Sequence, residues 1–267
     1  MKSLRELMDL QGRVTVITGG AGHIGLAMGE ALAELGAHIV VLDSQEDSCT
    51  KACASLERKF GAQTLPIVID LIDEKAIRSV PEAVIKRFGR IDILINCAAL
   101  VGTSTLQGWT TTFLEQKTDT WTKALEVNLT APFVLIQACT PALIESGHGS
   151  VINIGSTYGV VGPDLSLYEG TPMGNPAAYA ASKGGLIQLT RWLATNLAPK
   201  VRVNAISPGG VFRNQPQTFV ERYIQKTPLK RMATEEDFKG MAAYLASDLS
   251  LYVTGQNFMV DGGWTIW

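Results

Sequence analysis

Short apolar runs alternate with longer stretches of helical periodicity along almost the whole chain. The apolar runs predict seven strands, at residues 14–18, 39–42, 65–69, 91–95, 150–154, 201–206 and 257–260. Helical patterns are found at residues 23–35, 46–60, 73–88, 119–145, 177–197 and 235–247. Strands that are apolar along their whole length are typical of a parallel sheet covered on both faces. We therefore expect an α/β fold: one doubly wound, Rossmann-type domain over residues 1–267, with a mostly parallel seven-stranded sheet and helices on both faces.

Three stretches depart from this simple alternation. Pro132 and Pro141 lie within the helical pattern at 119–145, so we expect that helix to bend or divide. The loops at 101–118 and 159–176 are longer than such a fold requires. Because loops at the carboxyl ends of parallel strands commonly carry function, both are candidates to border a site.

Composition narrows the possible functions. The chain has 267 residues, 46% of them hydrophobic, and a formal net charge of −2 without any cluster of Lys and Arg, which argues against a nucleic-acid partner. No apolar run reaches the roughly 18 residues that span a membrane, and the amino terminus lacks an apolar signal core. We expect a cytoplasmic protein without a membrane partner. Cys49 and Cys53 are four residues apart in a predicted helix, but the sequence has no CxxC pair and its three histidines are scattered, which predicts reduced thiols and no metal site.

A glycine-rich turn follows the first predicted strand. Gly20, Gly22 and Gly25 form a G-x-G-x-x-G pattern that precedes a predicted helix. Such a turn lets the backbone approach a pyrophosphate closely, and the helix amino terminus offers free N–H groups. A tight turn without a ligand is the alternative. Asp43 directly follows the second strand, where a carboxylate accepts hydrogen bonds from the adenosine ribose and repels a 2′-phosphate, so NAD is favoured over NADP. The alternative for Asp43 is a cap on the next helix.

Tyr179 and Lys183 are four residues apart in the helical pattern at 177–197, and therefore share one face. A nearby ammonium is expected to lower the pKa of a phenol, which would make Tyr179 a plausible general acid/base. The spacing alone has little specificity, because most pairs of this kind are surface residues of helices. Trp121 and Trp192 are expected in the core.

These motifs, in this order, resemble the short-chain dehydrogenase/reductase family, of the compact type that prefers NAD. The resemblance covers nearly the whole chain, through residues 18–25, Asp43, Asp70, 96–99, Asn128, 155–156, 179–183, 207–209 and 260–263. It implies an oxidoreductase that moves a hydride between the nicotinamide and a secondary alcohol or ketone. The catalytic residues that it implies are Asn128, Ser156, Tyr179 and Lys183. The cofactor-binding residues that it implies are Gly19, Gly22, His23, Ile24, Gly25, Asp43, Asp70, Leu71, Asn96, Ala98, Tyr179, Lys183, Pro208, Gly209 and Val211.

Individual roles also follow from the resemblance. Tyr179 exchanges a proton with the substrate oxygen, which Ser156 holds. Lys183 lowers the pKa of Tyr179 and binds the nicotinamide ribose, and Asn128 holds a water that links Lys183 to solvent. The family also implies a homotetramer or homodimer, and the apolar ending at 264–267 fits burial against another subunit.

The chain departs from the family pattern at four places. The first is residues 96–99, Asn-Cys-Ala-Ala where the family often has Asn-Asn-Ala-Gly, which is expected to change packing more than chemistry. His23 stands at a position that is usually glycine, and either pyrophosphate contact or packing at the helix start would suit it. Arg213 stands where a threonine usually meets the nicotinamide amide, so that contact is in doubt and an anionic substrate is an alternative. The segment between Ser156 and Tyr179 is unusually long, and it contains Asp164, Tyr168, Glu169 and Asn175.

We expect residues 159–176 and 212–230 to form a lid over a substrate that is a sugar or another polar metabolite. These stretches bear a weaker resemblance to dehydrogenases of bacterial surface-sugar (nonulosonic-acid) pathways. Two other functions stay open: an NAD-binding protein without catalysis, and a sugar-nucleotide epimerase or dehydratase.

Overall fold

The computed structural model describes residues 1–101 and 106–267. Each of the seven predicted strands is present, and they form one all-parallel sheet in the order β3-β2-β1-β4-β5-β6-β7. The strands are β1 (Val14–Thr18), β2 (His38–Asp43), β3 (Thr64–Val68), β4 (Ile93–Asn96), β5 (Gly149–Ile154), β6 (Val201–Pro208) and β7 (Asn257–Val260). The strand order reverses between β1 and β4, which places a ligand crevice at the carboxyl ends of those two strands. The predicted loop 101–118 lies partly outside the described residues.

Helices cover both faces of this sheet. They are α1 (Leu4–Met8), α2 (His23–Glu34), α3 (Glu46–Phe60), α4 (Glu74–Phe88), α5 (Thr118–Leu125), α6 (Ala131–Glu145), α7 (Ala177–Leu197), α8 (Gln217–Lys226) and α9 (Lys239–Ala246). Two of them, α1 and α8, were not predicted. The pattern at 235–247 is not one α-helix, since a 3₁₀ turn over Glu235–Phe238 precedes α9.

Alternate residues of each central strand point to opposite layers, as the pleat requires. In β1, Ile17 packs with Met28 of α2, whereas its neighbour Val16 packs in the opposite layer with Leu135 of α6. Both layers are buried cores, which explains the unbroken apolar character of the central strands. Strand β3 is not buried on both faces. It lies at the edge of the sheet, and its alternate residues are exposed. Its Pro66 is tolerated for the same reason.

The predicted helix at 119–145 divides just before Pro132, whereas Pro141 lies inside the continuous helix α6. A π-helical segment, Glu126–Thr130, joins α5 to α6. Pro132 follows residues that are themselves helical, so its missing N–H removes one helical hydrogen bond and its ring crowds the carbonyl of the residue four positions earlier. That residue is Asn128, which is buried within the π segment.

The path through α5 and α6, Thr118–Glu145, is long and apolar enough to cross a membrane, judged by length and composition alone. The sequence-based expectation that no segment reaches that length is therefore wrong. Half of its most apolar window is buried within the domain. Core helices of soluble proteins meet the same criteria, so the feature is weak evidence for a membrane span.

Candidate active site

The turn between β1 and α2 is shaped by close backbone contacts that side chains would prevent. Gly19 has a φ of +63°, and a Cβ there would lie 2.9 Å from the Cα of Ala98. A Cβ on Gly25 would overlap the carbonyl oxygen of Gly19. Gly22 is the N-cap of α2 and supplies no side-chain hydrogen bond. The N–H groups of the first helical turn are therefore available to an anion, and the turn fits a bound pyrophosphate.

His23 and Arg213 approach the same carboxylate. His23 Nδ1 lies 3.6 Å from Glu235 Oε1, and Arg213 Nε lies 3.3 Å from the same oxygen. Glu235 thus connects the start of α2 to the segment that follows β6. The side chain of His23 is largely exposed, so it does not pack at the helix start.

The carboxyl ends of β2 and β3 bring together Asp43, Asp70 and Leu71, since Asp43 is paired in register with Val68. The N-cap of α3 is Gln45, and Asp43 Oδ1 instead accepts a hydrogen bond from the N–H of Ser44 at 2.8 Å. The capping alternative for Asp43 is therefore wrong. Asp70 Oδ1 accepts a hydrogen bond from the N–H of Ile72 at 3.1 Å.

Thr18 fixes the segment after β4, which contains two predicted cofactor residues. Its Oγ1 accepts hydrogen bonds from the N–H groups of Cys97, at 3.1 Å, and Ala98, at 3.2 Å. Asn96 Nδ2 donates to Asn153 Oδ1 at 2.9 Å, whereas Asn96 Oδ1 is buried without a partner. Asn96 therefore links β4 to β5, and its free acceptor lies at the end of β4, beside the crevice.

Tyr179, Lys183 and Ser156 come together at the carboxyl end of β5. Ser156 follows β5 and forms a hydrogen bond with the phenol of Tyr179. Lys183, one turn along α7, is buried, and its Nζ lies 5.9 Å from the centre of the Tyr179 ring. That Nζ donates to the carbonyl oxygen of Ile154 at 2.6 Å. The three side chains border one cavity.

Burial is the largest influence on the pKa values of Tyr179 and Lys183. It raises the pKa of Tyr179 above its ordinary value, and the hydrogen bond from Ser156 opposes that change. Burial also lowers the pKa of Lys183 to about 8. The expected lowering of the Tyr179 pKa by Lys183 is not found in this arrangement, because the ammonium bonds to Ile154 beside the ring rather than to the phenol oxygen.

Asn128 lies beneath this group rather than on the cavity wall. Its Oδ1 accepts from the N–H of Leu100 at 2.7 Å, and its Nδ2 donates to the carbonyl of Leu100 at 3.1 Å and to Ser182 Oγ at 3.0 Å. The side chain thereby fixes the segment after β4 against α7. The predicted water between Asn128 and Lys183 stays a prediction.

The cavity has a volume of about 450 Å³, which falls in the range of small-molecule sites. The predicted residues on its wall are Ile24, Ser156, Tyr179, Lys183, Pro208, Gly209 and Val211. The predicted residues outside its wall are Gly19, Gly22, His23, Gly25, Asp43, Asp70, Leu71, Asn96, Ala98 and Asn128. All of the latter except Asn128 lie at or just after the carboxyl ends of β1 to β4. The wall also contains Met173, Phe219, Tyr223 and Met232, which no motif indicated.

One side of the cavity is covered by two packed segments, residues 159–176 and 212–230, which we call the cap. Leu167 of the first segment is buried with Phe219 and Tyr223 of the second. Arg222 donates to the carbonyl oxygens of Ser166, at 3.1 Å, and Glu169, at 2.6 Å. Asp164 forms an ion pair with Lys226. These contacts bring together segments far apart in sequence.

Within residues 1–101 and 106–267, no group of three or more His, Cys, Asp or Glu side chains could hold a metal ion. Cys49, Cys53 and Cys139 are buried free thiols, and Cys97 is half-buried. Burial raises the pKa of Cys97 to about 11, so it carries little thiolate at neutral pH.

Known proteins resemble the chain over nearly its full length. The model of a family described as enoyl-(acyl carrier protein) reductase matches residues 19–265. A 3-oxoacyl-[acyl-carrier-protein] reductase of Thermotoga maritima is 34% identical, over 97% of this chain and 100% of that protein. A 2,5-dichloro-2,5-cyclohexadiene-1,4-diol dehydrogenase of Sphingobium indicum is 31% identical, over 96% of this chain and 98% of that protein.

Comparison with solved structures shows that the fold is similar as well as the sequence. A short-chain dehydrogenase of Leptospira borgpetersenii with bound NAD⁺ superposes with a TM-score of 0.84 at 34% identity, covering 99% of this chain and 96% of that one. An NADPH-dependent 3-quinuclidinone reductase of Rhodotorula rubra gives a TM-score of 0.85 at 28% identity, covering 100% and 96%. The chain belongs to the short-chain dehydrogenase/reductase family. It is an oxidoreductase of the type that acts on alcohol and ketone groups, with a nicotinamide cofactor.

Proposed function

We propose that this protein interconverts a secondary alcohol and a ketone with NAD, and that Tyr179 is its acid/base. The observation that carries the proposal is the hydrogen bond between Tyr179 and Ser156 on the wall of a cavity that also contains Lys183. A phenol, a hydroxyl donor and an ammonium in one buried group can move a proton at a substrate oxygen and stabilise the charge that develops there.

In alcohol oxidation, the substrate hydroxyl donates its proton to the Tyr179 phenolate while Ser156 Oγ orients the substrate oxygen. The bound nicotinamide supplies the hydride acceptor. The hydrogen bond to the carbonyl oxygen of Ile154 holds the ammonium of Lys183 beside the Tyr179 ring. A positive charge therefore lies next to the acid/base. Ketone reduction uses the same groups in reverse, with Tyr179 donating the proton.

The residues that would hold the cofactor lie along the carboxyl ends of the strands. The turn with Gly19, Gly22, His23, Ile24 and Gly25 would bind the pyrophosphate. Asp43 would bind the adenosine ribose, and Asp70 and Leu71 would contact the adenine. Asn96 and Ala98 would support the cofactor after β4, and Pro208, Gly209 and Val211 would border the nicotinamide.

Preference for NAD over NADP rests on Asp43. Its carboxylate is half-buried at the end of β2 and is not used as a helix cap. Ser44 and Gln45, which follow it, bring no cation that could pair with a 2′-phosphate. Repulsion without a compensating cation favours the cofactor that lacks the phosphate.

The substrate is proposed to be a sugar or another polar metabolite, with the cap as its lid. Tyr158, Tyr168 and Asn175 add polar atoms to a wall that also contains Met and Phe side chains. Arg213 and Gln215 lie on the same wall, where Arg213 could meet an anionic group of a substrate. Purified protein should be incubated with NAD or NADP and a panel of polyols, sugars and cyclic alcohols, while the absorbance of the reduced cofactor is followed. Net formation of NADH supports the proposal and excludes an epimerase or dehydratase. Tight NAD binding with no turnover across the panel would favour a non-catalytic binding protein.

We also propose a homotetramer or homodimer. Trp121 and Trp192 were expected in the core, but this prediction is wrong. They are 41% and 56% exposed on α5 and α7. Phe133 and Ile144 of α6 are exposed as well. Large apolar side chains on adjacent helices are typical of a subunit contact. Light scattering after size exclusion should give a multiple of 28.7 kDa for the protein, and a smaller multiple for Trp192→Glu.

At the carboxyl terminus, Trp264 is buried against Tyr158 and Tyr223 of its own chain, which leaves Trp267 as the exposed aromatic ending. The cytoplasmic location and the lack of nucleic-acid and membrane partners stay predictions.

A further inference from the structure

We propose that Tyr158, Tyr168 and Asn175 form a subsite for a second hydroxyl group of the substrate, so that the preferred substrate is a diol on a carbon ring. This inference rests on the proposed function, because it concerns the same cavity. The three side chains are called the hydroxyl subsite below.

The first observation is a pair of phenols that no catalytic role requires. Tyr168 Oη lies 3.0 Å from Tyr158 Oη, with which it forms a hydrogen bond, and both side chains line the cavity. Burial raises the pKa of each phenol, so both keep their protons at neutral pH. Neither lies four residues before a lysine, as Tyr179 does.

The second observation is an acceptor without a donor. Asn175 forms a side-chain hydrogen bond with Tyr168, and its Oδ1 is buried with no partner. A buried acceptor without a partner has lost the hydrogen bond that it would make in water, which costs free energy. A ligand that donates a hydrogen bond here would recover that free energy.

The direction of these hydrogen bonds defines what the ligand must offer. The Asn175 amide donates to Tyr168 Oη, and one phenol proton is used in the hydrogen bond between Tyr168 and Tyr158. The other phenol proton of the pair therefore remains free for an acceptor on a ligand. The subsite thus offers one donor and one acceptor. A hydroxyl group matches both, whereas a ketone or a carboxylate has no proton to give to Asn175 Oδ1.

The hydroxyl subsite lies close to the reacting group. The N–H of Tyr158 donates to Ser156 Oγ at 3.2 Å, and Tyr168 is near enough to Tyr179 to raise its pKa. A substrate whose first hydroxyl meets Ser156 and Tyr179 therefore brings a second one, a few bonds away, to Tyr158. Met173, Phe219 and Met232 give the wall an apolar stretch that suits the carbon ring of a cyclic diol, while Arg213 and Gln215 are further polar side chains on the same wall.

The test compares cyclohexanol with cyclohexane-1,2-, 1,3- and 1,4-diol, with NAD in excess. For the unaltered protein, we expect kcat/KM for at least one diol to exceed that for cyclohexanol by about 10-fold or more, the value of one well-placed hydrogen bond. Tyr158→Phe and Asn175→Ala should each lower kcat/KM for that diol about 10-fold, while cyclohexanol changes less than about 2-fold.

Tyr168→Phe should have the same effect, and its ring should still pack on Phe219, whose centroid is 5.4 Å away, so the cap stays folded. Tyr244→Phe is the matched control, because that phenol packs on Phe258 in another part of the molecule and should leave both substrates unaffected. A loss shared equally by diol and cyclohexanol would mean that the residues are merely structural and would overturn the inference.

A wild-type protein that oxidises cyclohexanol as well as every diol would also overturn the inference, while the proposed function would stand if Tyr179→Phe abolished that activity. A protein that reduces NAD with none of these alcohols, nor with any other alcohol of the panel, would overturn the proposed function and the hydroxyl subsite together.

Discussion

Lys183 donates a hydrogen bond of 2.6 Å to the carbonyl oxygen of Ile154, the last residue of β5. This contact joins α7 to the sheet at the point where Ser156 leaves it. It also explains why a buried lysine is tolerated, since the carbonyl takes the place of one water. The ammonium is thereby fixed one helical turn from Tyr179.

The first prediction concerns the cost of burying Lys183. Its pKa is about 8 in the folded protein against an ordinary 10.5, so between these values the unfolded chain binds more protons. Stability contributed by this residue must then rise with pH through that window, by on the order of 2–3 kcal/mol. The free energy of unfolding of the wild type minus that of Lys183→Met, from urea titrations at several pH values, should increase accordingly. A difference that is flat or falls with pH would contradict the assignment.

The second prediction concerns the phosphate-binding turn. In Gly25→Ala the new methyl group meets the carbonyl oxygen of Gly19, so the turn must shift. We expect about 1–3 kcal/mol of lost stability and at least about 10-fold weaker NAD binding by calorimetry. Gly240→Ala is the matched control, because it is also helical but has open space at its Cβ. Equal effects of the two substitutions on NAD affinity would argue against a cofactor at this turn.

The third prediction concerns cofactor choice. Asp43→Ser removes the carboxylate that repels a 2′-phosphate, so the ratio of kcat/KM with NAD to that with NADP should fall by at least about 10-fold. Asp47→Ser removes the same charge from the exposed first turn of α3 and should leave the ratio unchanged. A wild-type preference for NADP would refute the role of Asp43 outright.

The fourth prediction concerns pH. Burial raises the pKa of Tyr179, so alcohol oxidation, which needs the phenolate, should accelerate as the solution becomes alkaline, and ketone reduction should slow. The hydrogen bond from Ser156 lowers that pKa, so Ser156→Ala should move the alkaline rise of kcat/KM to higher pH. A rise that stays in place, or moves to lower pH, would show that another group titrates.

The core of the fold was predictable because the burial of its residues follows the apolar pattern along each strand and helix. Residues such as Val16 and Ile17 are apolar on both faces of a central strand, and this pattern predicted a mostly parallel sheet, which is in fact parallel throughout. The spacing of four residues predicted that Tyr179 and Lys183 share one face, and the family resemblance implied that Ser156 joins them; the three side chains border one cavity.

The two segments of the cap were expected to cover the substrate, but the way in which they pack on each other was not predictable from the sequence. Helix α8 lies between Pro216 and Pro228 in a polar stretch, and its packing depends on Leu167, some fifty residues earlier in the chain. Pro132 indicated an irregularity in the helix near Asn128, but not that it would take the form of a π segment. The contact between Tyr158 and Tyr168 arises only when the cap folds over β5, so these two residues could be seen in the sequence only as other phenols.

The measurement that tests the central claim most directly is single-turnover hydride transfer in Tyr179→Phe, beside NAD binding by the same variant. Phenylalanine keeps the ring on α7 and removes only the acid/base. The rate of NADH formation from a working alcohol should fall by about 10²–10⁴-fold, while NAD affinity changes little. A variant that binds NAD normally and still forms NADH at the wild-type rate would contradict the role of Tyr179.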